Sequence, residues 1–433
     1  MIIHSPIRVT DQKFTEYTAK INFQKKDRTL VFRIHSRYDH LLTDLSDPFL
    51  IALLLPAMKN EKIIEVHGKV SERLLKNLRS TVQDILCMLV PGLRKVPITA
   101  TEVIKLPKVK DNNVLSAMSG GIDSFVTFED YFLKPKTSTK ITHFLLNNMS
   151  SIYEQKPHVI ANVRKLLSKY NAPLIQTWSN VNFFNGWASQ SAYYDRLLTT
   201  DETHTMDNAA IAHLLGGEPN TFLYSSSSGS NTQGTEYTVI ENGKSTTVSR
   251  FNDKQLILKN KSNFNRIFKE VGKYSNTNFI WTDVKGSYNS PCIAEPILLP
   301  LLSTPQVKCE SVGTEYTRPE KTIKVANLKD AHNHLDVCNE SSTTRKYVNC
   351  GTCRKCTRLL LTLEIINKKN HFKSDIFDLE AWDQIRSAYI QELPNRYSCH
   401  DDVETFWWAQ ASAPELFEVK QGQQPQFPTL GLV

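Results

Sequence analysis

Val114-Leu115-Ser116-Ala117-Met118-Ser119-Gly120-Gly121-Ile122-Asp123-Ser124 runs directly into Phe125-Val126-Thr127-Phe128-Glu129-Asp130-Tyr131-Phe132. The first apolar run reads as a short buried strand, and the second carries its apolar residues at helical spacing. Between them, Ser119 to Ser124 is a strand-to-helix turn. Two adjacent glycines let the backbone approach an oxyanion closely, and the hydroxyls of Ser119 and Ser124 and the amides of the first helical turn can donate to it. No Lys follows the glycines, so Walker-type γ-phosphoryl transfer is disfavoured. A Gly-Gly turn with an Asp or Ser cap also serves structure alone in many α/β proteins.

Outward from this turn, strand and helix alternate, which predicts a parallel, doubly wound α/β sheet. Strands are expected at Ile141 to Leu146, Leu174 to Trp178 and Thr221 to Tyr224, and helices at His158 to Tyr170 and around Asp207 to Leu215. Ligands bind beyond the carboxyl ends of such strands. Ser119, Asn147, Asn148 and the run from Ser225 to Gly229 should therefore share one crevice, although the serines also suit a linker. Asn231 to Asn278 breaks the alternation, with Glu241-Asn242-Gly243-Lys244 as a hairpin turn, and reads as a lid, a partner-binding device or a passive insertion. The sheet is expected to resume at Ile293 to Leu302, with helices after Ser303-Thr304-Pro305 and after Thr317-Arg318-Pro319-Glu320-Lys321.

Residues 1–110 read as a separate small α+β unit. Alternation at Tyr17, Ala19, Ile21 and Phe23, and at Leu30, Phe32 and Ile34, predicts a hairpin across Lys25 to Arg28. Pro48 to Met58 suits a buried helix, Ile63 to Val66 a strand, and Glu72 to Val90 one amphipathic helix. Asp111-Asn112-Asn113 is the expected junction. The division is then 1–110, a nucleotide-binding unit over 111–335 with its insertion at about 231–278, and 336–433. The last unit has helices at Leu359 to Ile366, Trp382 to Tyr389 and Glu404 to Trp408, and a flexible tail.

Length, charge and leader signals bound the function. A chain of 433 residues can bury several cores. No long apolar run predicts a membrane span, and the N-terminus lacks a secretory pattern, so a soluble cytoplasmic protein is expected. The net charge of +8 is uneven, since nine acids from Asp378 to Glu418 face three bases after Ile376. The basic excess elsewhere serves ATP, a nucleic acid or simple solubility.

Four of the eight cysteines stand together, as Cys338 and then Cys350-Gly351-Thr352-Cys353-Arg354-Lys355-Cys356. Two Cys-x2-Cys steps sharing a residue bring three sulfurs to one point, and the eleven-residue loop returns the fourth. Four local thiolates suit a closed structural zinc site. The competitor is an iron–sulfur cluster, which also uses such steps. With no open position evident, zinc is favoured.

Ser119-Gly120-Gly121-Ile122-Asp123-Ser124 after a strand resembles the pyrophosphate loop of the PP-loop ATP pyrophosphatases, adenylating enzymes that split ATP between its α and β phosphates. The spacing CGTCRKCTR is similar to the C-terminal zinc motif of the 7-cyano-7-deazaguanine synthases, a branch of that superfamily. The resemblance spans about residues 114–367 and implies Cys338, Cys350, Cys353 and Cys356 as zinc ligands beside Arg358. It implies ATP held by Ser119, Gly120, Gly121, Asp123, Ser124, Asn147, Asn148 and Ser225, with Asp123 and Ser124 at the chemistry and Asp123 as a partner of Mg2+. It further implies activation of a carboxylate or carbonyl, such as a 7-deazapurine acid, for attack by ammonia or an amine. Related enzymes with added domains occur in bacterial anti-phage operons, where the acceptor can be a partner protein. The family's Arg-Asn pair has its nearest counterpart here in Asp207-Asn208, a departure that weakens the deazapurine assignment, and the unit before the loop is an addition. The rivals are a tRNA thiolase, with Cys292 or Cys309 as sulfur carrier, and an ATP-sensing scaffold without turnover.

Overall fold

Alternating burial builds the first hairpin, from Phe14–Phe23 and Lys26–His35. Gln24 and Lys25 at its tip both take positive φ, the geometry that matches the right-handed twist of paired strands. The computed structural model describes residues 1–61, 63–90, 92–108, 113–135, 137–149, 157–185, 198, 200–218, 220–226, 236–241, 244–249, 291–338, 346–396 and 400–417. The predicted C-terminal tail and the serines after Ser226 lie outside these residues.

In chain order the first part comprises β1 (Ile2–Ile3), β2 (Ile7–Thr10), β3 (Phe14–Phe23), β4 (Lys26–His35), α1 (Asp47–Asn60), β5 (Ile64–Ser71), α2 (Glu72–Leu78), α3 (Thr81–Leu89) and β6 (Ile98–Ile104). The middle comprises β7 (Asn113–Ala117), α4 (Ile122–Phe128), β8 (His143–Asn148), α5 (Pro157–Ser168), β9 (Leu174–Ser179), α6 (Val181–Phe184), α7 (Thr200–Leu214) and β10 (Asn220–Ser225). Then follow β11 (Glu236–Glu241), β12 (Lys244–Ser249), α8 (Glu295–Leu301), β13 (Val307–Val312), α9 (Arg318–Ala326), α10 (Ala331–His334), α11 (Arg354–Ile365), α12 (Leu379–Glu392) and α13 (His400–Ser412). The predicted hairpin in the insertion is present, with Glu241 opposite Lys244. None of these helices is long and apolar enough to cross a membrane.

One mostly parallel, eleven-stranded sheet runs through the chain, in the order β13-β10-β7-β8-β9-β4-β3-β1-β5-β6, with β2 on β3. The strands from β13 to β9 are parallel to one another. Consecutive residues of these strands enter different cores: Leu145 and Phe222 join one cluster, and Phe144 and Leu223 the other. Side chains alternate across a strand, so this is a sheet covered on both faces. Burying each such Phe or Leu contributes about 1.5–3 kcal/mol. One core collects α1, α3, α7 and α8, and the other collects α4, α5, α9, α11 and α12.

The N-terminal unit does not stand apart from this sheet. β4 pairs antiparallel with β9, Phe32 opposite Ser179 and Ile34 opposite Thr177. Asn180 closes the seam, its amide donating to Thr29 O and its oxygen accepting from Val31 N, both at 2.9 Å. The hairpin's outer strand thus became an interior one.

Three expected elements are corrected. Glu72 to Val90 is two helices, because Ser80 leaves helical space at φ −135°, ψ −100°. Neighbouring carbonyls take the polar groups there: Asn77 donates to Leu301 O at 2.6 Å and Arg79 to Ile98 O at 2.8 Å. Ile293 to Leu302 is largely helix rather than strand, and the strand is β13 instead. Pro sits in the first turn of α8, where its missing N–H costs nothing. The segment after Ser303-Thr304-Pro305, expected to be helical, is that strand.

Candidate functional site

β7 ends at Ala117, and Met118 N is held by Leu145 O at 2.8 Å, so the chain leaves the sheet at a fixed point. Gly120 turns it at φ +82°, a conformation costly for any residue with a Cβ. Its carbonyl accepts from Asp336 N at 2.8 Å, which ties the turn to the segment leading into Cys338. Gly121 then starts α4 without a side-chain cap. The Ser124 hydroxyl donates to Gly121 O at 2.8 Å, and Ser119 Oγ accepts from Gly121 N at 3.3 Å. The amides of the first helical turn have no carbonyl inside their own helix. The turn lies beside the place where the parallel order reverses, between β7 and β10. Ligand crevices of open parallel sheets form there.

Two cations reach the turn from α9. Arg318 Nη1 stands 3.0 Å and Lys321 Nζ 3.1 Å from Asp123 Oδ1. Lys321 Nζ also donates to Ser226 O, at 2.6 Å, at the end of β10. Burial pushes the Asp123 carboxyl up, but Arg318 and then Lys321 outweigh it and hold it below its ordinary value. Asp123 is about a quarter exposed, so this ion pair opens toward solvent. Helix α9 is fixed by a capping box, Thr317 with Glu320. Asp123 therefore anchors two cations rather than capping a helix. Both cations use Oδ1, so a magnesium ion at Asp123 would have to bind through Oδ2 and share the carboxylate with them. The chain's own positive charge is what the turn offers to phosphates.

A buried polar wall adjoins this ion pair. Asn147 donates to Asn208 Oδ1 at 2.8 Å and accepts from the Thr177 hydroxyl at 2.9 Å, which links β8, β9 and α7. Asn148 pairs with Trp178 in the ladder, and Ser225 with Val312. The Ser225 hydroxyl is buried without a hydrogen bond. On α7, His204 Nδ1 lies 2.7 Å from the Tyr224 hydroxyl. Glu295, fully buried at the start of α8, faces Ser226, Lys321, Asp123 and Tyr224. Neither of its oxygens meets a donor in hydrogen-bond alignment, so Ser226, Lys321 and Tyr224 only partly offset burial, which lifts the carboxyl to about 8. Burial likewise lifts Asp207 to about 7, against hydrogen bonds from Asn185 and Thr203.

The four cysteines meet as the spacing predicts. Their Sγ atoms all lie within 4.8 Å of one another, with Cys338 to Cys353 at 4.0 Å, Cys350 to Cys356 at 4.0 Å and Cys353 to Cys356 at 3.4 Å. Sulfurs at ~2.3 Å around one tetrahedral ion stand about 3.8 Å apart. The group can therefore hold a metal ion such as zinc. Cys353 N donates to Cys350 Sγ at 3.2 Å, the hydrogen bond of a metal knuckle. Gly351 takes φ +75°, and a Cβ there would lie 2.2 Å from Asp378 O. Cys292 and Cys309 are buried, and burial raises the Cys309 thiol to about 12, which leaves it a poor nucleophile.

The structure gathers Ser119, Gly120, Gly121, Asp123 and Ser124 at one turn, while Asn147 spends both ends of its amide on Thr177 and Asn208. Sequence reasoning missed Arg318, Lys321, Glu295, Tyr224 and His204 as site residues. Arg318 and Lys321, three apart in the first turn of a capped helix, gave a signal, because that spacing puts both on one face. Comparison with family models, curated proteins and solved structures gives no match to this chain.

Proposed function

We propose that the chain is an AMP-forming, ATP-dependent ligase of the PP-loop kind, built on a doubly wound nucleotide-binding sheet and working in the cytoplasm. The observation that carries this is the convergence of Arg318 and Lys321 on the uncapped Gly-Gly turn at the sheet's reversal point. A departing pyrophosphate needs fixed positive charge and backbone donors in a protected crevice, and catalysis of this kind is mainly positioning and charge stabilisation. A substrate carboxylate oxygen bonds to the α-phosphorus as the bond to the β-phosphate oxygen breaks, and pyrophosphate leaves with that electron pair. An amine nitrogen then attacks the acyl carbon of the mixed anhydride, losing a proton as AMP departs. Arg318 and Lys321 bind the pyrophosphate, and Ser119 and Ser124 orient it.

The acceptor class is a carboxylic acid, with a 7-deazapurine acid as the first candidate, and the nitrogen comes from ammonia or a partner-protein amine, as in an anti-phage system. Zinc at the four cysteines is the better occupant, since an iron–sulfur cluster spreads its thiolates over several irons. Bound there, zinc supplies structural cross-linking and no open position. RNA sulfur transfer is less supported, because Cys292 and Cys309, its candidate sulfur carriers, are buried.

The test is incubation with ATP labelled at the α-phosphate, a panel of carboxylic acids, ammonium and tRNA, with Asp123→Ala as control. Equimolar AMP and pyrophosphate with any acid is the expected result. ADP as the labelled product, or no turnover with every acceptor, refutes the assignment, and the latter favours an ATP-sensing scaffold.

A further inference from the structure

The acidic residues that open α13 lie far along the sequence from the Gly-Gly turn, yet they bear directly on it. Arg318 Nε stands 3.3 Å from Asp401 Oδ1, an ion pair without hydrogen-bond alignment, and Arg318 N donates to Glu404. Asp401 Oδ2 is in turn 3.0 Å from Arg358 Nη1, two residues past Cys356. Asp402 pairs with Arg358 at 3.3 Å and Arg354 at 2.9 Å, and not with Arg318. The side chains of Arg318, Asp401 and Arg358 are all at most 12% exposed, so water does little to screen them.

We propose that Asp401 is the positioning residue for Arg318, and that through Arg358 it makes the polyphosphate affinity of the Ser119 to Ser124 turn depend on the four-cysteine site. A guanidinium hydrogen-bonded to Asp123 and drawn by charge to Asp401 is confined between two carboxylates, so its remaining donors are aimed before any anion arrives. Asp123 alone does not provide this, since it is shared with Lys321. From Arg358, two residues past Cys356 on α11, the path Asp401, Arg318, Asp123 reaches the turn through contacts of 3.0–3.3 Å. The first turn of α13 therefore belongs to the anion site as well as to the fold.

Charge alone and positioning predict opposite signs. Asp401→Asn removes a negative charge, which on electrostatic grounds tightens anion binding; loss of orientation loosens it. Asp402→Asn removes the same charge from the same turn without touching Arg318, and serves as the reference. Pyrophosphate is the probe, followed by calorimetry on the full chain. The expected result is about tenfold weaker binding for Asp401→Asn, and unchanged or tighter binding for Asp402→Asn. Asp401→Glu keeps the charge but displaces the carboxylate, and should fall between; it carries the test if Asp401→Asn does not fold.

The calorimetric arm rests on the phosphate reading of the turn, so a second arm needs no ligand. The rate of phenylglyoxal modification at Arg318, read by peptide mass spectrometry, should rise several-fold in Asp401→Asn and after removal of the metal with a chelator, and stay put in Asp402→Asn. An unchanged rate in Asp401→Asn, or tighter pyrophosphate binding by it, overturns the proposal. A wild-type chain that ignores pyrophosphate but gives the expected modification pattern refutes the phosphate reading and leaves Asp401 as the residue that orients Arg318.

Discussion

Glu295→Gln isolates the cost of a buried carboxyl. Glu295 is fully buried, with neither oxygen aligned to a donor, and burial raises it from 4.5 to about 8. Below pH 4.5 the native and unfolded chains both hold the proton, and the group costs nothing. As pH rises, the unfolded chain releases a proton that the native state keeps, so native stability falls until Glu295 ionises near pH 8. At 1.36 kcal/mol per unit, the two values imply that this group alone removes about 3 kcal/mol between pH 5 and pH 8. Glutamine has nearly the same shape and cannot ionise. The advantage of Glu295→Gln over the parent should therefore grow by roughly that amount across the interval, measured as paired urea denaturation midpoints at half-unit steps of pH. A difference that stays flat with pH refutes the reasoning. It would mean that Glu295 is ionised near neutrality, with Lys321 as its counter-ion, and that burial does not dominate its titration.

Gly120→Ala forces a side chain onto φ +82° and sets its Cβ 3.4 Å from His334 O. A loss of about 1–2 kcal/mol is expected in thermal denaturation, and the proposed phosphate role of the turn adds weakened pyrophosphate binding as a second expected outcome. Asn180→Ala deletes both hydrogen bonds that close the β4 to β9 seam. It should cost about 1–3 kcal/mol and speed hydrogen exchange at Val31 while leaving Leu115 unchanged; equal acceleration at both positions would mean that the seam does not open on its own.

Local pattern carried most of the elements. The alternation of Tyr17 to Phe23, the apolar run before Ser119 and the cysteine spacing each specify their geometry within a few residues, so period and knuckle chemistry suffice. The sequence by itself determined the turn, the thiolate group and strands β7 to β10, because each depends on the pattern of its own segment. Tertiary structure alone decided the rest. β4 joins β9 because two strands of compatible edge met in space, and nothing in either strand names its partner. The break at Ser80 and the helix at Glu295 follow from carbonyls and packing supplied by distant segments. Arg318, Lys321 and Asp401 become a site only when α9 and α13 are laid against the turn, since charge acts through distance in space and is indifferent to separation along the chain.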